Sequence, residues 1–324
     1  LRGEAIVARR LMGLAERIES VRFSPDGTRL AVAGGDPGAM GEVQIWDVAA
    51  GELLVSHIAT SDALRGASWS PDGRLVAFGG ADSQLYAIDA ATGERTLQQG
   101  AHTDWVLATA FSSDGDAIVS GGRDQTLKLI DRPASRFVDN ITAVSPGVPG
   151  GMIFAATRHP TLDVIAVGGS EGAVRTYMIH RLVDRKIGDD NNLVRLYPQM
   201  RGRIFAVAFS RDGRRLAAAS SDGRQGRLDL FAVPESWQPP DDVRQIQAKV
   251  VDERTADEAG RLAAYHREGA VRLAYTPGAL PPLYAAAFLA DGKTVATGGG
   301  RGGGRVHAAP PRTRRAPPGP REVG

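Results

Sequence analysis

A five-residue motif that returns along the chain constrains the fold more than any other feature of the sequence. Its copies read Phe-Ser-Pro-Asp-Gly at 23–27, Trp-Ser-Pro-Asp-Gly at 69–73, Phe-Ser-Ser-Asp-Gly at 111–115, Phe-Ser-Arg-Asp-Gly at 209–213 and Phe-Leu-Ala-Asp-Gly at 288–292. A degenerate copy, Arg-His-Pro-Thr-Leu, stands at 158–162. Successive copies end 42 to 51 residues apart, and only the last interval is longer, at 79 residues. A period of this length indicates one repeated supersecondary unit, with an insertion before the last copy.

Each copy has the composition of a tight turn between two strands. Proline presets φ at the second position of a type I turn, aspartate caps the turn with its side chain, and glycine accepts a positive φ at the exit. We call these turns the corners of the repeat. The corner residues are therefore predicted to be structural, and they include Asp26, Gly27, Asp72, Gly73, Asp212 and Gly213.

The residues between the corners alternate as β-strands do. A small apolar strand follows each corner, as at 30–34, and the next strand ends in a bulky residue and Asp, as at Trp46 and Asp47 or before Asp131. A further strand begins after Ala-Gly, at Glu52. Such alternation and spacing are typical of antiparallel strands joined by short turns. Four-stranded meanders repeated around an axis predict an all-β propeller.

The strand count predicts five complete four-stranded blades and a partial sixth. The complete blades start near Ile18, Leu64, Trp105, Gly151 and Arg203. The sixth blade has two strands, at 283–289 and 293–297. We therefore expect a propeller domain at 1–300 with a helical insertion at about 234–269, followed by a disordered Gly/Arg/Pro-rich tail at 301–324.

Both ends of the chain depart from the repeat. Residues 5–11 have the pattern of an outermost strand whose own blade is absent, and after Gly300 the expected strand gives way to Gly, Arg, Pro and Ala. We hypothesise that the chain is a fragment of a seven-bladed ring, altered after Gly300 by a frame change in a GC-rich gene. The alternatives are a genuine disordered tail, and a six-bladed ring that residues 5–11 close by pairing with the sixth blade.

These repeats resemble the WD-repeat β-propellers over roughly residues 4–300. In that family a His before the first strand, a Ser or Thr in the second, an Asp in the following turn and a Trp form a hydrogen-bonded structural set. The third blade matches this set with His102, Ser120 and Asp124, while Ile130 stands where Trp would be. Only the first blade keeps the Trp, at Trp46, and it lacks the His. The resemblance implies structural roles for these residues.

Two further stretches are similar to bacterial WD-repeat domains that are fused to c-type cytochrome modules. They are Arg-Phe-Val-Asp-Asn-Ile-Thr at 136–142 and Ile-Gly-Asp-Asp-Asn-Asn-Leu at 187–193. The resemblance implies a non-catalytic protein-interaction scaffold that is the propeller module of a larger bacterial protein. It also implies export to the periplasm if such a haem module precedes the chain, and a cytoplasmic location otherwise.

Composition excludes several classes of site. Without cysteine, the chain has no disulfide, no thiolate zinc site and no Cys-x-x-Cys-His haem attachment, and we expect no cofactor in it. No apolar run approaches the roughly 20 residues of a membrane span. Residues 301–324 carry six arginines against Glu322 alone, so the basic pI of about 9.0 belongs to the tail. A single Arg-Gly-Gly-Gly-Arg lacks the repetition of a nucleic-acid-binding arm, and we predict no nucleic-acid partner.

Insertions into a repeat are the places where function is usually added. Residues 36–41 enlarge a turn of the first blade, while 180–191 and 234–269 each separate the third and fourth strands of blades four and five. Because strand connections alternate between the two faces of a propeller, these last two should meet on one face. The predicted surface for a protein partner, or for an upstream domain of the same protein, comprises Asp189, Asp190, Val243, Ile246 and Val250.

Helix signals lie within the larger insertion. Val243, Ile246 and Val250 follow one another at helical spacing, and Thr255 with Glu258 three residues later forms a capping box. An apolar stripe of this kind can serve as a docking surface, or it can simply cover the face of the propeller.

A catalytic or metal-binding propeller is the alternative function, with a site assembled from loops of several blades. Asp189 and Asp190 with the two following asparagines offer oxygen ligands for calcium, but they lack the alternating spacing and the closing glutamate of a dedicated loop. The six histidines show no paired ligand spacing, and no phosphate loop, Gly-x-Ser-x-Gly elbow or zinc-protease helix is present. The sequence therefore predicts neither a catalytic nor a metal site.

Overall fold

The described part of the chain has an all-β architecture of six antiparallel sheets, five with four strands and one with three. The computed structural model describes residues 11–13, 16–100, 102–142, 151–186, 189–235, 237–276, 280–300 and 304–308. Consecutive strands pair within every sheet, so each sheet is a meander. The predicted fold class, a propeller of five complete blades with a partial sixth and a short helical insertion, is confirmed.

The first three sheets follow one another without long connections. Sheet 1 consists of β1 (Arg17–Phe23), β2 (Arg29–Asp36), β3 (Met40–Asp47) and β4 (Leu53–Thr60). Sheet 2 consists of β5 (Leu64–Trp69), β6 (Leu75–Gly80), β7 (Leu85–Asp89) and β8 (Arg95–Gln99). Sheet 3 consists of β9 (Val106–Phe111), β10 (Ala117–Gly122), β11 (Leu127–Asp131) and β12 (Arg136–Asn140).

The remaining sheets carry the insertions. Sheet 4 consists of β13 (Ile153–Arg158), β14 (Val164–Gly169), β15 (Arg175–Met178) and β16 (Leu193–Leu196). Sheet 5 consists of β17 (Arg203–Phe209), β18 (Arg215–Ser221), β19 (Gly226–Ala232) and β20 (Arg272–Tyr275). Sheet 6 consists of β21 (Leu283–Phe288), β22 (Thr294–Gly299) and β23 (Gly304–Ala308).

Local hydrogen bonds explain why the corners form. At the first corner the Gly27 amide donates to the Ser24 carbonyl, and Gly27 has a φ of 76°. The Ser24 hydroxyl donates to Asp26 at 2.5 Å and accepts from the Arg29 amide at 2.9 Å, while Asp26 also accepts from the Thr28 amide. Hydrogen bonds from Ser24 and Thr28 lower the pKa of Asp26 to about 2. The same Ser–Asp arrangement recurs at Ser70, Ser112 and Ser210.

At the degenerate fourth corner, a histidine side chain caps the turn in place of the serine. His159 occupies the place of the serine, and its Nδ1 atom accepts hydrogen bonds from the amides of Thr161 and Leu162. Its Nε2 atom lies 3.2 Å from the Gly213 carbonyl oxygen in the next sheet. Burial lowers the pKa of His159, which favours the neutral ring that an accepting Nδ1 requires.

Buried apolar side chains fill the space between consecutive sheets. Ile45 and Phe78 belong to the cluster between sheets 1 and 2, and Val164 and Ile204 to the cluster between sheets 4 and 5. Similar clusters join sheets 2 and 3, sheets 3 and 4, and sheets 5 and 6. Between sheets 6 and 1 the described residues form no such cluster. The innermost strands β1, β5, β9, β13, β17 and β21 line a common channel.

The last sheet differs from the prediction. Two strands were expected in the sixth blade, but β23 pairs with β22 from Thr294–Ala308 to Gly298–Gly304, and the sheet therefore has three strands. The predicted domain boundary at residue 300 falls inside this sheet. The pairing uses main-chain groups, which a Gly- and Arg-rich sequence supplies as well as any other. The other terminal predictions fall mostly on residues 5–10, 301–303 and 309–324, which lie outside the described residues.

Insertions alter the repeat less than expected in the first blade and more in the fifth. Residues 36–41 extend β2 and β3 rather than enlarging their turn, because Asp36 and Met40 still pair. In sheet 5 the connection from β19 to β20 holds α1 (Asp241–Gln247), a 3₁₀ turn (Val251–Glu253) and α2 (Ala256–Tyr265). The capping box of α2 is present, with Thr255 and Glu258 each accepting from the other's amide.

Candidate functional site

The third blade brings together the three residues of its predicted structural set. His102 Nε2 lies 2.7 Å from the Ser120 hydroxyl, and His102 Nδ1 lies 2.9 Å from Asp124 Oδ2. Asp124 also accepts from the Thr103 amide and from Thr126. Burial alone would raise the pKa of Asp124, but hydrogen bonds from His102 and Thr126 lower it to about 2. These contacts tie the entrance of β9 to β10 and to the turn that follows it.

A serine, histidine and aspartate in this order also describe a nucleophilic triad, and burial decides against that chemistry. Ser120 is fully buried, and the His102 side chain has no exposed surface. A nucleophile must reach a substrate, whereas this hydroxyl lies inside a sheet. The set therefore has the geometry of a structural bridge.

The strand-end residues of the repeat also act locally. Trp46 Nε1 donates to Gln44 Oε1 of the same strand at 2.8 Å, rather than to a residue of a His–Ser–Asp structural set. Asp47 and Asp131 each accept from a main-chain amide three residues later, at 2.6 and 3.0 Å. These carboxylates cap the turns that lead to the outermost strands.

The two large insertions contact each other, as their placement on adjacent blades predicts. Asn191 Nδ2 donates to the Gln247 carbonyl at 2.8 Å, and Gln247 Nε2 donates back to the Asn191 carbonyl at 3.1 Å. Arg254 adds a third bond to Asn191 Oδ1. Both insertions leave from the end of a third strand, so they lie on the same face as the corners, which we call the insertion face.

Most of the predicted partner surface is closed in the structure. Asp189 is buried and forms an ion pair of 3.0 Å with Arg181, which also binds Asp139 on β12. Val243 and Ile246 are buried as well. The prediction of these three as accessible contact residues is wrong, because a guanidinium already satisfies the carboxylate and the apolar stripe of α1 packs inward.

The other two residues of that predicted surface remain accessible to different extents. Val250 is 38% exposed, and it follows the end of α1 instead of continuing its helical stripe. Asp190 is partly buried. Among the described residues, no group of three or more His, Cys, Asp or Glu side chains is placed to hold a metal ion. In the same part of the chain, no helix is long and apolar enough to cross a membrane.

The opposite end of the channel presents a different kind of surface. Four residues before each corner motif, at the second or third position of every innermost strand, one side chain reaches the channel. We call this set the mouth ring, and it consists of Glu19, Arg65, Leu107, Phe154, Phe205 and Tyr284. Glu19 and Arg65 are joined by a 2.8 Å salt bridge, so this side of the ring is polar. The other four side chains form a continuous apolar crescent.

The crescent is held in place by ring contacts. Phe154 and Phe205 stack with centroids 5.3 Å apart, and Tyr284 meets Phe205 edge-on at 5.1 Å. Tyr284 is nonetheless 48% exposed. Around the ring stands a rim of Trp105, Arg123, Met152 and Arg203.

Cation–π contacts fix the rim as well. Arg65 and Arg123 both lie against Trp105, with 5.3 and 4.8 Å between guanidinium carbon and ring centroid. Ring and rim together enclose a cavity of about 580 Å³, which continues into a channel of about 310 Å³. We call the ring, the rim and this cavity the channel mouth.

Sequence reasoning did not find the channel mouth, although the signal was present. The ring residues lie about 40 to 80 positions apart, and only their common offset from the corner motif relates them. The residue four positions before each corner motif is, in chain order, Glu, Arg, Leu, Phe, Phe and Tyr. This set is unusually aromatic for an inward position in a chain with 6% aromatic residues.

Comparison with known proteins agrees with this geometry. The family model for the WD domain, G-beta repeat, matches residues 51–89, 93–131 and 191–224. Three segments of the chain are therefore similar to the WD40 repeat. Each match begins near the outermost strand of one sheet and continues into the next sheet, so the sequence repeat is offset from the structural blade by one strand.

A solved structure shows the same fold. A chain in the crystal structure of a mitotic checkpoint complex superposes with a TM-score of 0.65 at 14% identity, over 90% of this chain and 74% of that chain. No curated protein matches the sequence. WD40 propellers are in general non-catalytic scaffolds for protein interaction, and the buried third-blade set is consistent with that general role.

Proposed function

We propose that this propeller is a non-catalytic protein-interaction scaffold whose partner docks at the channel mouth. The observation that carries the proposal is the apolar crescent of Leu107, Phe154, Phe205 and Tyr284, open to solvent beside a basic rim. Exposed aromatic and arginine side chains clustered around a pocket are the residues that most often dominate protein interfaces. Ring stacking and cation–π contacts hold them in place before binding, which lowers the entropy cost of association.

The insertion face supports this choice by contrast. Its apolar residues Val243 and Ile246 are buried, and its insertions are bound to each other and to β12. Those two side chains are therefore not available to a partner, whereas Tyr284 at the channel mouth is 48% exposed.

Crosslinking tests the proposal directly. A photoreactive amino acid placed at Tyr284 in the full chain, expressed in its native cells, should crosslink to one protein that mass spectrometry identifies. The same amino acid at Arg211, an exposed residue of the fifth corner on the insertion face, serves as the control. The proposal predicts that the identified protein, once purified, binds the full chain and that Tyr284→Ala weakens this binding. Equal crosslinking at both positions, or none at Tyr284, would refute it.

At a finer level, we propose that the scaffold is the propeller module of a larger bacterial protein associated with a c-type cytochrome. Support comes from the similarity of residues 136–142 and 187–193 to such modules. Asp139 and Asp189, one from each stretch, bind the same side chain, Arg181, so the two stretches meet in one ion-pair cluster. In that case the mouth partner is either another protein or an upstream domain.

Sequencing the coding locus on both sides tests this finer proposal. A Cys-x-x-Cys-His segment with an export signal, in frame with this chain, is the expected result. An open reading frame that contains no haem-attachment motif would overturn the cytochrome association and leave the interaction scaffold intact.

A further inference from the structure

Positive charge exceeds negative charge at the channel mouth. The lining contains Arg65, Arg123 and Arg203 but only one carboxylate, Glu19. Arg65 and Arg17 both bind Glu19, at 2.8 and 3.2 Å, so its charge is already compensated. Like charges without partners are relieved by binding groups of the opposite sign.

The rim arginines differ in how far they are already paired. Arg123 lies 3.7 Å from Asp104, with both side chains 39% exposed, so this is a weak surface pair. Arg203 is exposed and has no ion pair to any acidic residue in the part of the chain that the structure describes. It is therefore the rim residue with the most to gain from an incoming carboxylate.

Below the apolar crescent the channel continues between the innermost strands, and its lining includes Ser20 and Arg22 of β1 as well as apolar side chains. Its walls carry small side chains, namely Ala67, Thr109, Ala156 and Ala286. Thr109 already donates to the Gly66 carbonyl. A volume of about 310 Å³ accommodates a bulky side chain.

We infer that the channel mouth, in the role proposed above, recognises an acidic segment of a partner protein that places an aliphatic or aromatic side chain against the apolar crescent. The geometry assigns each part of the ligand. The apolar side chain contacts Phe154, Phe205 and Tyr284, and the neighbouring carboxylates lie over the rim, where Arg203 and Arg123 stand on either side. A basic segment would meet the same arginines as like charges and be rejected.

A selection experiment tests the inference with defined probes. A displayed library of random 12-residue peptides is selected on the immobilised full chain, with the Tyr284→Ala variant as a counter-selection. The expected peptides are enriched in Asp and Glu around a Leu, Phe, Tyr or Trp. Recovery of basic or neutral peptides, or of none that distinguish the two proteins, overturns the inference.

Binding measurements on the best selected peptide locate the site. By fluorescence polarisation, Arg203→Glu should weaken binding by about tenfold or more and Tyr284→Ala by about fivefold or more, while Arg211→Glu on the insertion face should change it less than about twofold. Raising the NaCl concentration from 50 to 500 mM should also weaken it. An affinity that Arg203→Glu leaves unchanged contradicts the inference.

The outcomes separate this inference from the proposed function. If the crosslinking experiment identifies a partner at Tyr284 whose contacting segment is basic or uncharged, the scaffold proposal stands and only the acidic-segment inference fails. If no protein crosslinks at Tyr284 while acidic peptides still bind the mouth, the recognition chemistry stands and the scaffold role fails.

Discussion

At the scale of single residues, two corner glycines with the same backbone conformation lie in different surroundings. Gly27 and Gly213 have φ values of 76° and 71°. A Cβ atom added to Gly27 meets nothing within 4 Å, whereas one added to Gly213 would lie 2.3 Å from His159 Nε2. We expect Gly27→Ala to destabilise the fold by about 1 kcal/mol, the cost of a left-handed alanine. Gly213→Ala should cost about 3 kcal/mol because the clash adds to it. Urea denaturation of the two variants measures the difference.

A substitution at His159 should remove the clash. Since serine stands at the His159 position in four other corners, His159→Ser should fit there and remove the obstructing ring. The double variant His159→Ser, Gly213→Ala should therefore be more stable than the two single effects add up to. Strict additivity would show that the ring is not what penalises alanine at Gly213.

The buried bridge of the third blade carries the second residue-scale prediction. His102→Ala removes a partner of both the buried Ser120 hydroxyl on β10 and the Asp124 carboxylate in the turn after β10. Losing both contacts should cost about 2–4 kcal/mol in unfolding free energy. His57→Ala on the outer strand of sheet 1 is the control and should cost about 0.5 kcal/mol. Equal midpoints in urea for the two variants would contradict a structural role for His102.

Residue chemistry also explains which parts of the molecule the sequence could predict. The corners were predictable because Ser24, Asp26 and Gly27 satisfy one another within four positions. The channel mouth was not, because Phe154, Phe205 and Tyr284 meet only once three separate blades have closed around the axis. Residues that are neighbours in the sequence determine a local turn. A ring with one residue per blade depends instead on the position that each residue takes within its own blade.

At the scale of elements, the stability of the base of the helical insertion depends on the charge of one histidine. Burial, together with the positive charges of Arg195, Arg267 and Arg254, lowers the pKa of His266 to about 4. The unfolded chain binds this proton near pH 6.5, so lowering the pH from 6.5 towards 4 favours the unfolded state. We expect the free energy of unfolding to fall through this window, with a contribution from His266 of no more than about 3 kcal/mol.

A substitution isolates that contribution from the other buried histidines. His266→Gln cannot titrate in this range, so its stability should fall less than that of the unmodified chain between pH 6.5 and pH 4.5. Chemical denaturation at a series of pH values measures both curves. Parallel curves would mean that His266 is not a source of the acid sensitivity.

The helices and strands were predictable to different degrees. The start of α2 was predictable because the capping box of Thr255 and Glu258 is a local signal. The end of α1 was not predictable, since Val250 continues the helical spacing of the sequence. In the structure the chain turns after Gln247, where Asn191 of the other insertion donates to the Gln247 carbonyl. The strand β23 was missed because main-chain pairing to β22 requires no particular side chains.

At the scale of the whole molecule, each sheet is stabilised mainly by its neighbours, as in other repeat proteins. Sheets 2 to 5 have an apolar cluster on both faces. Sheet 6 has one such cluster among the described residues, with Leu283 and Val295 packed against sheet 5. Its strands are also less buried than those of sheet 3, since β10 is buried at every position and β21 only at Leu283. Its local stability should accordingly be lower.

Hydrogen–deuterium exchange can measure this gradient directly. Amides of β21 and β22 should exchange at least about tenfold faster than those of β9 and β10, because opening sheet 6 breaks one interface and opening sheet 3 breaks two. Leu283→Ala should accelerate exchange in sheet 6 further while leaving sheet 3 unchanged, and Leu64→Ala, a similar truncation in sheet 2, should not affect sheet 6. Equal protection of sheets 6 and 3 would show that contacts beyond sheet 5 hold the last blade in place. Because Tyr284 lies on β21, that result would also mean that the channel mouth is as rigid at its sixth blade as elsewhere.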